Sequence, residues 1–333
     1  MDVIFDNRYM EHAHPPPHPE RPERLAAVLK YVEEQKLDAN FIAPESLSKE
    51  HISETHSPTY VDFIESYKGY MDPDTFIADN TYEVACLAAG GGITAMERLM
   101  KDGSEPIMVL ARPPGHHAGE DYGCGFCYFN NIAISADHMA RKGRKVAILD
   151  IDVHHGNGTS DIFQARNDVL YISTHQWGIF PGTGSLKACG SDEGEGSTVN
   201  IPFHGGAGDS SYLTAWLELI EPVLEQYKPD DLLVSIGGDA HYMDPLATLD
   251  LSSQGYLEMC RNIMKFAEVH CGNRLAFFLE GGYHLYALAE VVGGIIAYPK
   301  KLPLRYTQVS DDACQGRDVL DDVKKVQSEY WNL

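Results

Sequence analysis

Short apolar runs rich in β-branched residues, each closing on glycine, aspartate or histidine or on an apolar residue before a loop, recur along this chain with stretches of helical periodicity between them. The runs cover residues 107–111, 145–152, 169–175, 198–203, 231–239 and 275–282. Nearly continuous apolar runs of this length suit strands buried on both faces, which is how parallel strands lie when helices cover the sheet. The helical stretches cover 20–35, 82–100, 130–142 and 252–270. The clearest stripe is Leu213, Trp216, Leu217, Ile220, Val223, Leu224 and Tyr227, spaced i, i+3, i+4, i+7 and stopped by Pro229. It reads as core. The alternation predicts an α/β fold, a central mostly parallel sheet of about eight strands with helices on both faces. No Ser- or Gly-rich linker and no internal repeat divides the 333 residues, so one domain over 1–333 is expected.

Composition narrows the function classes. Hydrophobic residues at 44% and charged residues at 23% suit a folded globular chain and exclude disorder, collagen and coiled coil. A net charge of −23 repels phosphate backbones and anionic lipid heads, which argues against nucleic acid and membranes as partners. No apolar run approaches the roughly 18–20 residues of a membrane span, and the amino terminus lacks a basic-then-apolar signal pattern, so a cytoplasmic location is expected. The seven cysteines are odd in number and scattered, which reads as thiols rather than a disulfide framework. Cys124 and Cys127 form a C-x-x-C with no second pair, and a packed loop is favoured there over a redox or zinc motif.

Loops after the carboxyl ends of strands surround the ligand crevice of an open α/β sheet, so chemistry is sought there. The strongest signal is LDIDVHHGNG at residues 149–158. Alternation along a strand would point Asp150, Asp152 and His154 to one side. Two carboxylates packed into a buried sheet end, with no Lys or Arg in the segment, call for a cation, most economically a metal ion. A further carboxylate, Asp239, ends the apolar run LLVSIGGD. Asp152, His154 and Asp239 would make an oxygen, nitrogen, oxygen site with an open position. Asp244 is an alternative ligand, although the start of a turn with Pro245 is favoured. His116 and His117 sit in a Pro/Gly-rich loop, RPPGHHAGEDYGCGFCYFNN, where a neutral imidazole could take a proton from an activated water and a protonated one could deliver it to a leaving amine. Asp150 would orient one of them. Tyr283 follows the run that ends in EGG, and a phenol held there can donate to a carbonyl oxygen becoming tetrahedral.

Together these motifs resemble the histone deacetylase family within the arginase/deacetylase superfamily, which also holds acetylpolyamine amidohydrolases and acetoin-utilisation proteins. The match runs over about residues 1–300, through HPERPERL, HSPTYV, RPPGHHA, GFCYFNN, DIDVHHGNGT, FPGTG, GGDAHYMDPL and LEGGYHL, and looks most like the class II branch. The resemblance implies the single-domain arginase/deacetylase fold. It implies zinc on Asp152, His154 and Asp239, with ferrous iron an alternative that ligand type alone leaves open. It also implies tandem histidines at His116 and His117 and a carbonyl-polarising Tyr283. Asp150 matches the partner of the first histidine and Asn157 that of the second, where class I members carry Asp. His117 is then the candidate general base and His116 the more electrostatic of the pair. A structural potassium ion is implied near Asp150, Asp152, His154, Ser173 and the Thr174 backbone. Phe126 and Phe180 match paired channel aromatics, Gly125 a backbone contact to substrate, and Leu246 a position where acetylpolyamine-selective relatives can carry Glu.

The expected function is hydrolysis of an N-acetyl amide, on acetyl-lysine or an acetylated polyamine or small amine, to acetate and free amine. The rivals are a non-catalytic binder of acetylated ligands and a binuclear manganese ureohydrolase. Substrate choice is expected to depend on rim loops at 10–19 and 176–196. The polar, acidic extension 301–333 reads either as a terminal helix packed on the domain or as a contact in a homo-oligomer.

Overall fold

The computed structural model describes residues 1–101, 103, 105–298 and 315–333. In chain order the first elements are β1 (Asp2–Ile4), α1 (Glu23–Glu34), β2 (Asn40–Ile42), α2 (Lys49–Ile52), α3 (Pro58–Ser66), β3 (Gly69–Tyr70), β4 (Phe76–Ile77), α4 (Thr81–Leu99) and β5 (Ile107–Val109). Then come α5 (Asn131–Ala140), β6 (Val146–Asp150), α6 (Asn157–Phe163), β7 (Val169–Gln176), β8 (Thr198–Phe203), α7 (Asp209–Ala215), α8 (Glu221–Tyr227) and β9 (Asp231–Ile236). The chain closes with α9 (Ser253–His270), β10 (Leu275–Leu279), α10 (Leu285–Ala297) and α11 (Arg317–Gln327).

Eight strands form one open sheet in the order β2-β1-β5-β10-β9-β6-β7-β8, every pairing parallel. The three central strands β10, β9 and β6 are buried at every position, as strands covered on both faces must be. Helices supply that cover, α1 packing on α10, α4 on α5 and α7 on α9. The expected α/β class and the eight-stranded parallel sheet are both present.

Several boundaries differ from the sequence reading, each for a physical reason. Strand pairing in β6 stops at Asp150, so Asp152 and His154 lie just beyond the strand and not on it. There the carboxylates of Asp150 and Asp152 accept the backbone N–H groups of Asp152 and His154, 3.1 and 2.9 Å away, which turns the chain out of the sheet. The stripe at 213–227 is not one helix. A π-helical turn, Trp216–Ile220, separates α7 from α8 immediately before Pro222, whose ring cannot continue an ordinary i to i−4 ladder. Lys228, at φ 58°, ends α8 ahead of Pro229. Of the extension, residues 301–314 lie outside the described residues. The rest forms α11 along the edge strand β8, with Val319, Leu320 and Val323 buried. Gln327 donates to the Thr198 carbonyl at 3.2 Å and the Trp331 indole to the Gly196 carbonyl at 3.1 Å, so an edge that could pair with another chain is covered.

That contact predicts a stability effect far from any chemistry. Leu320→Ala, at a position with no solvent exposure, should lower the unfolding free energy by about 2–4 kcal/mol in urea titration.

Candidate active site

The ends of β6, β9 and β10 bring three carboxylates together. Asp150, Asp152 and Asp239 have no exposed surface. Asp239 Oδ1 accepts the Val153 N–H at 3.1 Å and Asp152 Oδ2 accepts the Gly281 N–H at 2.7 Å. His154 turns Nδ1 toward both ligand candidates, 3.3 Å from Asp152 Oδ1 and 3.2 Å from Asp239 Oδ2. Glycine is required on both flanking loops. A Cβ on Gly237 would lie 2.1 Å from Asp152 Oδ2, and one on Gly281 2.0 Å from Asp239 Oδ2.

This set fits a divalent cation. The donor atoms of Asp152, His154 and Asp239 lie within 4.8 Å of one another. Asp239 Oδ2 is buried without a hydrogen-bond partner. Burial alone would lower the His154 imidazole, yet its bonds and charge contacts with Asp152 and Asp239 lift it to about 10. Such a pull on a proton marks a cleft with an excess of negative charge.

A second set, His12, His14 and Glu20, also converges. It differs in being already neutralised, because Arg112 pairs with both Glu20 oxygens and Arg24 with Oε1 at 3.2 Å. Glu20 and Arg24 belong to the HPERPERL segment and Arg112 to RPPGHHA. Arg24 donates to the carbonyls of Gly282 at 2.7 Å and Glu280 at 2.5 Å, and its guanidinium sits 5.1 Å from the centre of the Tyr283 ring. Asp244 holds the same loop, accepting the N–H groups of Tyr283, His284 and Leu246 at 2.7, 3.1 and 3.0 Å. Its oxygens are therefore turned to the backbone.

The tandem histidines differ in their partners. His116 Nδ1 lies 3.0 Å from Asp150 Oδ2, which also accepts the Tyr171 hydroxyl. Burial would depress His116, but Asp150, Asp152 and Glu280 outweigh it and hold it at about 10. His117 Nδ1 lies 2.8 Å from Asn157 Oδ1, and burial followed by the charges of His116 and His154 drives it well below its ordinary value. Glu280 was not singled out in the sequence. Its carboxylate accepts the N–H groups of Gly115 and His116 at 2.7 and 3.1 Å, and burial pushes it up to about 7. His56 braces the loop from the other side, donating from Nδ1 to the Gly119 carbonyl at 2.7 Å and accepting the Asn130 N–H at Nε2 at 2.9 Å.

A cavity of 210 Å³ leads to these groups, lined by His117, His154, Tyr283, Gly125, Phe126, Phe180, Leu246, Ile179 and Asp74. Gly125, Phe126, Phe180 and Leu246 all lie in this lining, together with Ile179 and Asp74. Gly125 and Phe126 form a tight turn with φ of 55° and 71°, closed by the Cys127 N–H on the Cys124 carbonyl. Cys124 and Cys127 are free thiols, as are the other described cysteines. The rim loops stand where expected, Ile179 and Phe180 from one and His14 and His18, 5.9 and 4.6 Å from the Phe126 ring, from the other. Of the expected potassium residues, Asp150 pairs in register with Ser173, the Ser173 hydroxyl meets His175 Nδ1 at 2.9 Å, and the Thr174 hydroxyl donates to the Asp150 carbonyl at 3.4 Å.

The histone deacetylase domain profile matches residues 18–298. The chain belongs to the histone deacetylase family. A probable deacetylase of Archaeoglobus fulgidus is 39% identical to it over 351 aligned positions, covering 99% of this chain and 98% of that one. Histone deacetylase 14, chloroplastic, of Arabidopsis thaliana is 36% identical, covering 83% of this chain and 71% of that one. A histone deacetylase-like amidohydrolase of Pseudomonas aeruginosa is 41% identical over 65% of this chain and 57% of its own. Among solved structures, the HD domain of HDA15 superimposes with a TM-score of 0.90 at 32% identity, covering 99% of this chain and 97% of that one. The chain is thus a histone deacetylase-like hydrolase of the deacetylase or amidohydrolase kind. No described helix is long and apolar enough to cross a membrane.

Two predictions follow from the geometry of this deacetylase. Gly281→Ala, which drives a methyl into Asp239, should weaken any divalent-cation binding by the Asp152, His154, Asp239 set, read as metal retained per chain by plasma emission after loading and desalting both proteins. The second concerns His56, whose imidazole burial lowers to about 4 from 6.5. A folded-state value below the unfolded one means that its stability is complete above pH 6.5 and is lost as pH falls toward 4, by about 3 kcal/mol in all. His56→Gln should therefore show a pH dependence of unfolding free energy shallower by one proton over that window.

Proposed function

We propose that this chain is a zinc-dependent deacetylase that hydrolyses an N-acetyl amide, on acetyl-lysine or an acetylated polyamine or small amine, to acetate and the free amine. The observation that carries the reading is the convergence of Asp152, His154 and Asp239 beside an aromatic-walled cavity lined by His154, His117 and Tyr283, with His116 paired to Asp150 and His117 to Asn157. Asp152, His154 and Asp239 would hold the ion. When bound, zinc supplies Lewis acidity, polarising the acetyl carbonyl and making a water acidic enough to attack at neutral pH.

The chain's own residues do the rest. Phe126 and Phe180 clasp the methylene stem of the substrate, excluding water and aligning the amide, while the Gly125 backbone bonds its N–H. His117 accepts the proton of the attacking water at Nε2, since its Nδ1 faces Asn157. The Tyr283 hydroxyl, held over the cleft by Arg24 and Asp244, donates to the carbonyl oxygen as charge builds there. His116 stays charged against Asp150 and lowers the energy of the anionic transition state, and an imidazolium returns a proton to the departing amine. Potassium at Asp150, Asp152, His154, Ser173 and the Thr174 backbone, ferrous iron as an alternative ion, and a cytoplasmic setting for the reduced thiols belong to the same reading. So does a single deacetylase domain over 1–333.

A binuclear ureohydrolase would need Asp150 or Asp244 as further ligands, and both are engaged, one with His116 and Tyr171 and the other with three backbone N–H groups. A mute binder has no use for a neutral base next to a charged partner. The deciding experiment is an acetate-release assay on metal-loaded protein with an acetyl-lysine peptide, acetylspermidine and acetylputrescine. Turnover of at least one, abolished by a chelator and restored by zinc, is expected. Release from none of them rejects the proposal. Tyr283→Phe should lower kcat by about 10²–10³ with little change in metal content, as loss of one oxyanion donor does.

A further inference from the structure

A histidine takes a proton at Nε2 only while its own proton sits on Nδ1, and the group facing Nδ1 decides which nitrogen holds it. A carboxylate decides at once, because it only accepts. An asparagine does not. Its amide is nearly symmetric in shape, and with the NH2 group turned to His117 it would favour the opposite tautomer. Something beyond Asn157 must set its direction.

Asn157 Nδ2 lies 3.1 Å from the Tyr122 hydroxyl and 3.9 Å from Cys124 Sγ. The Tyr122 hydroxyl lies 2.5 Å from Asp161 Oδ2. Asp161 follows Asn157 by four residues in α6, so the two project from one face of the helix, one turn apart, with the phenol bridging them. The Tyr122 ring is fixed in place by Gly119, where a Cβ would come within 2.3 Å of it, and by the bond from the Gly119 N–H to the Tyr122 carbonyl at 3.0 Å.

The chain of bonds can run in one direction only. Asp161 has no proton to give, so the phenol hydrogen points to it and the phenol oxygen accepts from Asn157 Nδ2. That leaves Asn157 Oδ1 for His117, which must then donate from Nδ1. We infer that Tyr122 and Asp161 are positioning residues that polarise the Asn157 amide and thereby hold His117 as its Nδ1–H tautomer with Nε2 open to the cleft. Burial and the bond to Asp161 both raise the Tyr122 phenol, so it stays protonated as this arrangement requires. The catalytic consequence rests on the reading of His117 as the proton acceptor, whereas the tautomer itself does not.

The test is long-range ¹H–¹⁵N spectroscopy of zinc-loaded protein labelled at histidine, with the His117 signals assigned by their loss in His117→Ala. In the unmodified chain Nδ1 should carry the proton. Asp161→Asn, which can donate as well as accept, and Tyr122→Phe should each introduce the Nε2–H form at His117 while leaving the His116 pattern unchanged. Asp161→Glu, still an acceptor only, should restore the original form. In steady state Asp161→Asn should lower kcat about tenfold with KM within about twofold, a fraction of what a general base contributes. A His117 that keeps its proton on Nδ1 in both variants, or carries it on Nε2 from the start, overturns the inference, as does a fall in kcat with no change of tautomer. The expected tautomer in a protein that releases no acetate from any substrate would leave the inference standing and reject the deacetylase proposal instead.

Discussion

The excess of buried negative charge at the ends of β6 and β9 governs this structure. Asp150, Asp152 and Asp239 are removed from water, and among the described residues their ion-pair partners are His116 and His154, not lysine or arginine. Ionised carboxylates in such a place carry a desolvation penalty of several kcal/mol each unless other groups compensate it. Backbone N–H groups of Asp152, Val153, His154 and Gly281 provide part of that compensation, and the strand ends are bent to aim them. The first glycine of GGD and of EGG, Gly237 and Gly281, follows from this crowding, since a side chain there would collide with Asp152 or Asp239, whereas Gly238 and Gly282 are held by the close approach of the two loop backbones to each other. What the backbone leaves uncompensated is the charge a cation would supply.

The second buried charge cluster solves a similar problem in the opposite way and serves a different end. Glu20 meets two arginines, so its charge is balanced without an ion, although His12 Nδ1 and both ring nitrogens of His14 are buried without a hydrogen-bond partner. Buried ion pairs like those of Glu20 with its arginines add little net stability but allow few alternative geometries. Its reach is mechanical. Arg24 grips the carbonyls of Glu280 and Gly282 just before Tyr283, and the Glu280 carboxylate in turn holds the N–H groups of Gly115 and His116. One strand end thus fixes the phenol on one side of the cleft and the imidazoles on the other.

What could be read from the sequence follows from how local each signal is. The buried strands were legible because parallel strands covered on both faces are apolar throughout. β1 and β2 have only three residues each, and β2 exposes Asn40 and Phe41 at the sheet edge, so neither carries a distinctive run. The candidate metal-binding cluster was legible because Asp152 and His154 share a segment and Asp239 ends another strand run. The stance of Asp152 and His154 was not, because the turn that carries them out of β6 is made by the carboxylates of Asp150 and Asp152. Arg24, Arg112 and Glu280 gave no local signal: a charged residue in a sequence reads as surface, and apart from the Arg24–Glu20 pair one helical turn apart, the contacts that give them a role span 92 to 258 residues. Tyr122 and Asp161 stand 39 residues apart and meet only because α6 and the histidine loop cross.

The asymmetry of the two histidines returns to the same constraint. The rings lie 4.0 Å apart, and two imidazolium ions at that distance in a buried cleft would repel strongly. Asp150, with Asp152 and Glu280, already raises His116 and favours its charged form. A carboxylate at position 157 would pull His117 the same way and would add one more buried negative charge to a site that has too many. An amide at that position avoids both effects, and burial together with the charges of His116 and His154 keeps His117 well below its ordinary value. It does so by giving up the directional certainty of a carboxylate, which is why the groups outside Asn157 matter to the chemistry inside it.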